Sequence, residues 1–423
     1  MKNHILRQGV AFCCSVILCI VFLLLGACLP QRPIDDNVLA SAEKMLEDGS
    51  SPVIADKSYA SMLDVTTDAL ILAESKATTI AHWETIFTNP LYEKPDMSPV
   101  DQLYSYARGE YTEVSRYYVQ YWMGFRPVMR LMLTVLDYHQ ILRYVAFSFF
   151  VLLAAALCSV ANHTNTKTAF LFALSIILVR PHIIAVSLQF SCCFLIAFLA
   201  MLLVPWLHSH SKWIPLFFLE LGIATMYFDF YTTPIITFGL PMIYLYTLKA
   251  AENNPLSVKE IGANALSWFL GYVGMWVAKL ALTSALTGAD GISTGMLSFM
   301  GRIGITKTPG LEAYYDPIMA LRTVAMSLYS DQEGKWILLI ACVLCFAALV
   351  FLFLRQKHSF RDLLSHHGLL VIAALPIIWF MVAAQPTGNH HWFQYRGIAV
   401  AFWAGFLYLQ YLLQPVSRRD NII

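Results

Sequence analysis

Long apolar runs constrain the fold of this chain more than any other feature. A helix needs roughly 20 apolar residues to cross a bilayer core about 30 Å thick, and within lipid it must satisfy its own backbone hydrogen bonds. Runs of this kind recur along the whole 423-residue sequence, in which 58% of residues are hydrophobic and only 13% are charged. The sequence therefore predicts an all-α membrane protein with about ten transmembrane helices. The predicted spans are 9–29, 140–160, 169–179, 189–207, 214–227, 233–249, 261–285, 336–354, 368–384 and 397–413.

Two predicted spans, 169–179 and 214–227, are short for a full crossing. Such segments are typical of helices that break at membrane depth, where irregular backbone is covered by protein or lines a cavity. The run from Gly9 to Leu29 ends in "LGAC", which is similar to a lipoprotein cleavage box at Cys28. Its length favours a retained first helix over a removed signal peptide.

The polar segments divide the chain into five regions. Residues 1–29 are a cytoplasmic N-terminus and the first transmembrane helix, and residues 30–139 are an extracytoplasmic region that we expect to be small and mostly helical. Its end, 117–144, is rich in Tyr, Trp and Arg and predicts a helix lying along the interface. Transmembrane helices 2–7 occupy 140–285, a second extracytoplasmic segment occupies 286–335, and helices 8–10 with a cytoplasmic tail occupy 336–423. The glycines of 286–335 favour a mobile loop or lid, followed by a short helix in "DPIMALRTVAMSLY".

Positive charges in short loops give the orientation, because Lys and Arg favour the cytoplasmic side. With the N-terminus inside, the short outer loops carry only Arg180 and Arg396. The inner segments carry eleven, namely Lys2, Arg7, Lys167, Lys212, Lys249, Lys259, Arg355, Lys357, Arg361, Arg418 and Arg419. The sequence therefore predicts a multi-pass plasma membrane protein with both termini in the cytoplasm.

Ionisable residues at the boundaries of the spans gather on the predicted outer side. Because such groups are costly near lipid, they usually face a cavity and mark a functional path. The candidates are Asp35 and Asp36 after the first span, Arg126, Arg180 and His182 in "ILVRPHII", Asp229, and His390, His391, Tyr395 and Arg396 in "GNHHWFQYR".

Each candidate also has a structural interpretation. Asp35 and Asp36 could begin a solvated region, Arg180 could reach back to the interface, and Asp229 could cap the helix after Thr232. His390 and His391 could be interfacial residues that tolerate both phases. For the nine cysteines we expect no disulfide framework, and we expect Cys342 and Cys345, which form a CxxC within an apolar run, to pack as small hydrophobes.

The combination of carboxylates, arginines and histidines at a lipid boundary suits transfer of a group from a lipid phosphate. A carboxylate can take the proton of an attacking hydroxyl, while arginine and histidine can bind phosphate oxygens as charge develops on them. Asp and His are also ordinary metal ligands, so a divalent cation is a further candidate, but no spacing here specifies a metal site. The net charge of +1 says nothing about partners, and no basic stripe with interleaved aromatics suggests a nucleic-acid partner.

Four segments carry a resemblance to a known family: "YWMGFRPVMRLML", "YFDFYTTPIITFGLP", "GYVGMWVAKL" and "NHHWFQYR". Together with the first span, the long outer loop and the many later spans, they resemble the GT-C class of membrane glycosyltransferases, in particular GT-C-like proteins of bacterial surface-polysaccharide gene clusters. The resemblance implies inverting transfer of a sugar from a polyprenyl-phosphate donor to a glycan acceptor, with Asp35 or Asp36 as the general base.

From the chemistry of the side chains and their predicted side of the membrane, we assign the donor phosphate to Arg180, His182, His390, His391, Tyr395 and Arg396, with Arg126 and Asp229 as further cavity candidates. The expected partners are the lipid-linked sugar, the glycan acceptor, the bilayer and, as a further candidate, a small membrane protein. The alternatives are a transporter or flippase of lipid-linked saccharide, and a non-catalytic membrane subunit of a polysaccharide assembly complex. The sequence contains no internal repeat of the kind that many transporters show.

Overall fold

The computed structural model describes residues 2–49, 61–63, 65–94, 96–306, 314–328, 351 and 366–413. These residues form an all-α protein in which the strands are limited to one antiparallel pair, β1 (Pro90–Leu91) and β2 (Arg116–Tyr117). The helices are α1 (Lys2–Ala27), α2 (Gln31–Asp48), α3 (Val65–Ala77), α4 (Thr85–Thr88), α5 (Pro99–Ala107), α6 (Arg126–Leu133), α7 (Tyr138–His163), α8 (Thr166–Ile177), α9 (Pro181–Ala185), α10 (Leu188–Ser209), α11 (Ile214–Phe228), α12 (Ile235–Ala251), α13 (Val258–Thr287), α14 (Gly291–Arg302), α15 (Pro317–Leu328), α16 (His367–Val382), α17 (Ala384–Asn389), α18 (His391–Gln394) and α19 (Ala399–Leu412).

Nine of the ten predicted spans fall on helices, and the eighth, 336–354, lies almost wholly outside the described residues, as do Cys342 and Cys345. Among the described residues, four helices are long and apolar enough to cross a membrane: Leu6–Ala27, Tyr138–His163, Leu188–Ser209 and Val258–Thr287. Helices α8 and α11 are short, with 12 and 15 residues. At 1.5 Å per residue they measure roughly 18 and 23 Å, less than a bilayer core.

Helix α12 is the centre of the bundle. Its residues from Ile235 to Leu248 are all buried, and it contacts α10, α16 and α19. A helix that is apolar on every side must be enclosed by other helices or by lipid, and here the enclosure is by protein. This helix positions the polar residues that precede it, including Asp229.

Helices α11 and α13 approach each other through glycines. A Cβ placed on Gly222 would lie 2.0 Å from the backbone oxygen of Trp268, and one placed on Gly271 would lie 2.1 Å from that of Leu219. The two helix backbones therefore touch, as small residues allow in membrane helix pairs. The contact fixes the direction in which α11 delivers the chain to Asp229.

The predicted outer region, 30–139, contains α2 to α6. Helix α2 buries Ile34, Val38, Ala42 and Met45, a spacing of four, four and three residues that places one apolar face toward the core. The apolar core of this region also includes Leu72 of α3, and both α2 and α3 contact α5. Asp137 then caps α7 through a reciprocal pair of hydrogen bonds with Gln140, so the long helix begins at Tyr138.

Two expectations about the outer segments were too coarse. The stretch 117–144 is not a single interfacial helix, because only Arg126–Leu133 is helical before α7 begins. The glycine-rich segment contains a second helix, α14, which begins at Gly291 with Asp290 as its cap and packs its small residues against α13. The short helix predicted in "DPIMALRTVAMSLY" is present as α15.

Candidate functional site

The two candidate bases occupy different environments on α2. Asp35 Oδ1 accepts hydrogen bonds from Gln31 Nε2 at 2.7 Å and from Lys76 Nζ at 3.1 Å, and the Asp35 side chain is 36% exposed. Asp36 is exposed, because the next residue on a helix points about 100° away. Asp35 is therefore the carboxylate that faces other polar groups of the protein.

Aromatic rings and cations surround Asp35. The rings of Tyr92 and Tyr106 stack with centroids 4.0 Å apart, and Lys76 Nζ lies 5.8 Å from the centre of the Tyr106 ring. Arg130 is close enough for the charge of Asp35 to affect its pKa, although burial dominates and lowers that pKa to about 10. We call Asp35, Lys76, Tyr92 and Tyr106 the Asp35 cluster.

The side chain of Arg126 is buried and bonded to other parts of the protein, as is typical of a residue with a structural role. The side chain is 1% exposed, and its Nη atoms donate to Glu74 Oε2 at 3.3 Å, Thr78 Oγ1 at 2.9 Å and the Ile86 carbonyl at 2.8 Å. Burial raises the pKa of Glu74 to about 8, and the charge of Arg126 opposes that rise. These contacts hold α3, α4 and α6 together, so they account for Arg126 without a ligand.

Arg180 lies at the end of the short helix α8, in a left-handed backbone conformation with φ 60°. A residue before proline rarely adopts this conformation, so the surrounding contacts must hold it there. Its Nη1 donates to Ser61 Oγ at 2.7 Å, which joins the end of α8 to the outer region. His182, two residues later on α9, is exposed.

Arg396 is close enough to Arg180 for the charge of Arg180 to act on it. Arg396 is 1% exposed, its guanidinium carbon lies 4.5 Å from the centre of the Phe190 ring, and its Nη1 donates to the Trp392 carbonyl at 2.8 Å. Burial lowers the pKa of Arg396, Tyr395 opposes this, and the nearby charge of Arg180 lowers it further. Two arginines from distant parts of the sequence thus lie near each other.

The stretch 390–396 connects several elements. His391 Nδ1 is 2.8 Å from Ser327 Oγ on α15, and Gln394 Nε2 donates to the Tyr231 carbonyl at 2.8 Å. His390 stacks on Phe393, and burial, with the charges of Arg302 and His391, lowers the pKa of His390 to about 4. His390 is therefore neutral at pH 7. Within the described residues its buried Nδ1 has no hydrogen-bond partner.

Arg302, on α14, is the site residue that the sequence did not single out. Its Nη2 donates to Tyr121 Oη at 2.6 Å, and its guanidinium carbon lies 4.2 Å from the centre of the Tyr231 ring. Tyr121 and Tyr231 also pack on each other, with centroids 4.9 Å apart. We call Arg180, Arg302, His390, His391 and Arg396 the cationic cluster.

Asp229 fits the structural alternative. It follows α11, is 5% exposed, and accepts hydrogen bonds from the Thr232 backbone N–H at 2.8 Å and from the Thr232 hydroxyl. Burial raises the pKa of this carboxyl to about 6, and these hydrogen bonds oppose the rise. Asp229 thereby caps the turn before α12 that carries Tyr231, whose φ of 59° is also left-handed.

The described contacts arrange the candidates in two groups. Arg180, His390, His391, Tyr395 and Arg396 belong to or adjoin the cationic cluster, while Asp35 belongs to its own cluster. Ser61, which contacts Arg180, precedes α3, whereas Lys76, which contacts Asp35, lies in its last turn. Since α3 has 13 residues, it is roughly 20 Å long.

The donor set suits an anion better than a metal. The cationic cluster offers guanidinium and imidazole donors beside tyrosine rings, which match phosphate oxygens attached to a flat apolar or sugar group. In the part of the chain that the structure describes, no group of three or more His, Cys, Asp or Glu side chains could hold a metal ion. Comparisons of the chain with protein family models, curated proteins and solved structures found no match.

Proposed function

We propose that this protein is a membrane glycosyltransferase that moves a sugar from a polyprenyl-phosphate donor to a cell-surface glycan on the extracytoplasmic face. The observation that carries the proposal is the cationic cluster, which gathers three arginines and two histidines at one end of an apolar helical bundle. A cluster of this kind suits a ligand that is part lipid and part phosphate.

The position of the cluster relative to the short helices supports a cavity at membrane depth. Helix α8 ends at Ile177, three residues before Arg180, and α11 ends just before Asp229 and Tyr231, so both short helices stop beside the cluster. Arg180 and Tyr231 both have left-handed backbone at these ends. Irregular backbone is tolerated at this depth where it is buried in protein or lines a cavity, and a lipid phosphate must be held near this level.

In the proposed reaction, the acceptor hydroxyl attacks the anomeric carbon of the donor sugar from the face opposite the phosphate. The bond between the sugar carbon and the phosphate oxygen breaks, and its electron pair leaves with the lipid phosphate. Arg180 and Arg396 stabilise the negative charge of that leaving group. The carboxylate of Asp35 takes the proton of the attacking hydroxyl, and the sugar configuration inverts.

Asp35 is the preferred base because it is half-buried beside tyrosine rings, whereas Asp36 points to solvent. Stacked tyrosines such as Tyr92 and Tyr106 suit an acceptor sugar. The proposal requires the two clusters to come together when both substrates are bound, because Asp35 must reach the hydroxyl that attacks the carbon joined to the donor phosphate. The proposal also includes ten transmembrane spans with both termini in the cytoplasm. Its partners are the bilayer and the glycan acceptor.

The pair Asp35→Asn and Asp36→Asn tests the base. We expect Asp35→Asn to reduce sugar transfer by about 10² to 10⁴, the usual contribution of a general base, with unchanged expression. We expect Asp36→Asn, the adjacent and chemically identical control, to retain most activity. The measurement is the sugar composition of the surface glycan in a deletion strain carrying each variant.

Full restoration of the glycan by Asp35→Asn would show that Asp35 is not the general base. A transporter would give a different result, because vesicles containing the wild-type protein would accumulate lipid-linked saccharide on the far side without forming a glycosidic bond. A scaffolding subunit would tolerate both substitutions and Arg396→Ala as well.

A further inference from the structure

Helix α14 turns its small residues toward the protein and its large apolar residues away from it. Gly291, Gly295 and Gly301 are buried. The exposed fraction is between 44% and 58% for the four large apolar side chains Ile292, Met296, Leu297 and Phe299. A helix on a water-facing surface has the opposite arrangement, with polar residues outside. Small residues at the contact are typical of helices that pack against a neighbour within lipid.

The exposed face of α14 carries no charge. The sequence "GISTGMLSFMG", from Gly291 to Gly301, contains no Asp, Glu, Lys or Arg. The nearest charged residues are Asp290, which caps the helix, and Arg302 at its end. Helix α15, by contrast, carries Arg322 on its exposed surface. A contiguous uncharged apolar surface of this kind is unusual in water and marks contact with a partner or a membrane.

Helix α14 runs back along α13. At its start, a Cβ on Gly291 would lie 3.0 Å from the Leu280 carbonyl oxygen and 3.1 Å from Ser284 Oγ. Near its end, the rings of Phe299 and Trp276 pack with centroids 5.8 Å apart. The contacts therefore move toward the start of α13 as the chain advances along α14. The step from Leu280 to Trp276 corresponds to about 6 Å along α13.

This direction takes α14 into the predicted bilayer. Helix α13 is long and apolar enough to cross a membrane. Counted from Ile261, where its predicted span begins, a bilayer core of about 30 Å extends to about Leu280, so Trp276 lies at the level of the acyl chains. On α13 itself, Leu270 and Val277 are 54% and 51% exposed, and Val277 adjoins Trp276. The exposed face of α14 therefore continues the face that α13 presents to lipid.

We infer that α14 lies in the bilayer beside α13 and that lipid acyl chains cover its exposed face. The segment whose glycines favoured a mobile loop or lid thereby contains a lipid-facing surface. Burial of its large apolar side chains among acyl chains is favourable, whereas a lid in water would leave them hydrated. This location of α14 goes beyond the proposed reaction and does not depend on it.

Fluorescence quenching of single-cysteine variants measures the surroundings of α14. After replacement of the nine native cysteines, the full-length protein with Leu297→Cys or Met296→Cys is labelled with bimane and reconstituted in phosphatidylcholine vesicles. Bromine atoms on the acyl chains quench a label in lipid, and iodide quenches a label in water. Both substituted residues are exposed, so neither change disturbs packing.

Two positions supply the matched controls. Leu270→Cys places the label on the exposed face of α13, and Glu110→Cys places it on an exposed part of the outer region. We expect the labels at Leu297 and Met296 to lose as large a fraction of their fluorescence in brominated lipid as the label at Leu270. Iodide should quench them at least about fivefold less than it quenches the label at Glu110.

Two other results would overturn the inference. Quenching by iodide as strong as at Glu110 would show that α14 belongs to a loop or lid in water. Protection from both quenchers would show that a partner protein or another part of the chain, such as the predicted span 336–354, covers this face. If brominated lipid quenches the labels but the wild type transfers no sugar, the glycosyltransferase proposal fails and the location of α14 stands.

Discussion

The protonation of His390 is controlled by its surroundings. Burial, with the charges of Arg302 and His391, lowers its pKa from the ordinary value of 6.5 to about 4. In the unfolded chain the ring takes up a proton as the pH falls through 6.5, whereas in the folded protein it does so only near 4. The stability contributed by the neutral ring is therefore complete above pH 6.5 and is lost as the pH falls toward 4.

We expect His390→Gln to remove this part of the pH dependence. The lost contribution is at most about 3 kcal/mol, and less because the ring is partly exposed. The measurement is the melting temperature of wild type and variant between pH 4 and pH 7.5 in phosphate-free buffer, which keeps the proposed site empty of phosphate. The exposed histidine of α7, in His163→Gln, is the matched control and should follow the wild type. Parallel curves for the wild type and His390→Gln would contradict the assigned pKa.

At single residues, the chemistry of a side chain and its predicted side of the membrane suggested a shared role but could not give its neighbours. Arg180 and Arg396 were both assigned to the donor phosphate because each is an arginine at the outer end of a span, and in the structure the charge of Arg180 acts on Arg396. Arg302 follows Gly301 in a segment whose glycines favoured a loop, so nothing in its spacing indicated a fixed position. Its placement depends on Tyr121 and Tyr231, which are far from it in sequence.

Among the helices, the contact of α11 with α13 offers the sharpest test of packing. Because a Cβ on Gly271 would lie 2.1 Å from the Leu219 carbonyl oxygen, Gly271→Ala requires the two backbones to separate. Overpacking of this kind usually costs about 1–3 kcal/mol, and displacement of α11 would also move Asp229 and Tyr231. We expect a melting temperature several degrees below that of the wild type.

Gly262→Ala is the control on the same helix. A Cβ at Gly262 meets nothing within 4 Å, so the substitution adds a methyl group without a clash. Alanine is also favoured over glycine in helices by about 1 kcal/mol, so the variant should be as stable as the wild type or more stable. A similar loss of stability in both variants would show that glycine, and not this contact, is what α13 requires.

The positions of helices were predictable where an apolar run had clear ends. The first span and α7 match the runs at 9–29 and 140–160, because a lipid-length apolar stretch has few alternatives to a helix. Helix α14 was not predicted, because its glycines lower helix propensity. Its contact with α13, which stabilises it, cannot be recognised from the local sequence. The sequence showed that 169–179 and 214–227 are short. It did not show that the two corresponding helices, α8 and α11, end beside the cationic cluster.

In the whole molecule, buried polar side chains join the outer region to the bundle. Arg130 donates to the Gly26 and Ser75 carbonyls, which ties the end of α1 to α3. Lys279 of α13 donates to the Phe87 carbonyl and to Thr283 Oγ1, and Trp122 Nε1 donates to the Met275 carbonyl at 2.7 Å. The sequence analysis did not single out Arg130 or Lys279, because the carbonyl groups that they bind lie far away in the sequence.

The joining contacts constrain how the two clusters can cooperate. The outer region carries Asp35 near one end of α3 and touches Arg180 near the other, so the two clusters would have to come together over roughly the length of that helix before Asp35 could take a proton from a hydroxyl attacking a donor at the cationic cluster. The gathering of acids and bases in one pocket, which the sequence suggests from side alone, stays a prediction. Two residues on the same side of the membrane need not lie close together.

The membrane orientation of the chain determines on which side the cationic cluster lies. Cysteine labelling can measure this orientation. Eleven positive charges in the predicted inner segments, against two in the short outer loops, favour a cytoplasmic N-terminus. We therefore expect a cysteine placed at the exposed residue Glu110, in the outer region, to react with a membrane-impermeant maleimide on intact cells. A cysteine at the exposed residue Asn254, between α12 and α13, should react only after lysis. Both are introduced after replacement of the nine native cysteines. The reverse labelling pattern would place the site on the cytosolic side. The proposed donor, acceptor and reaction would then all be wrong.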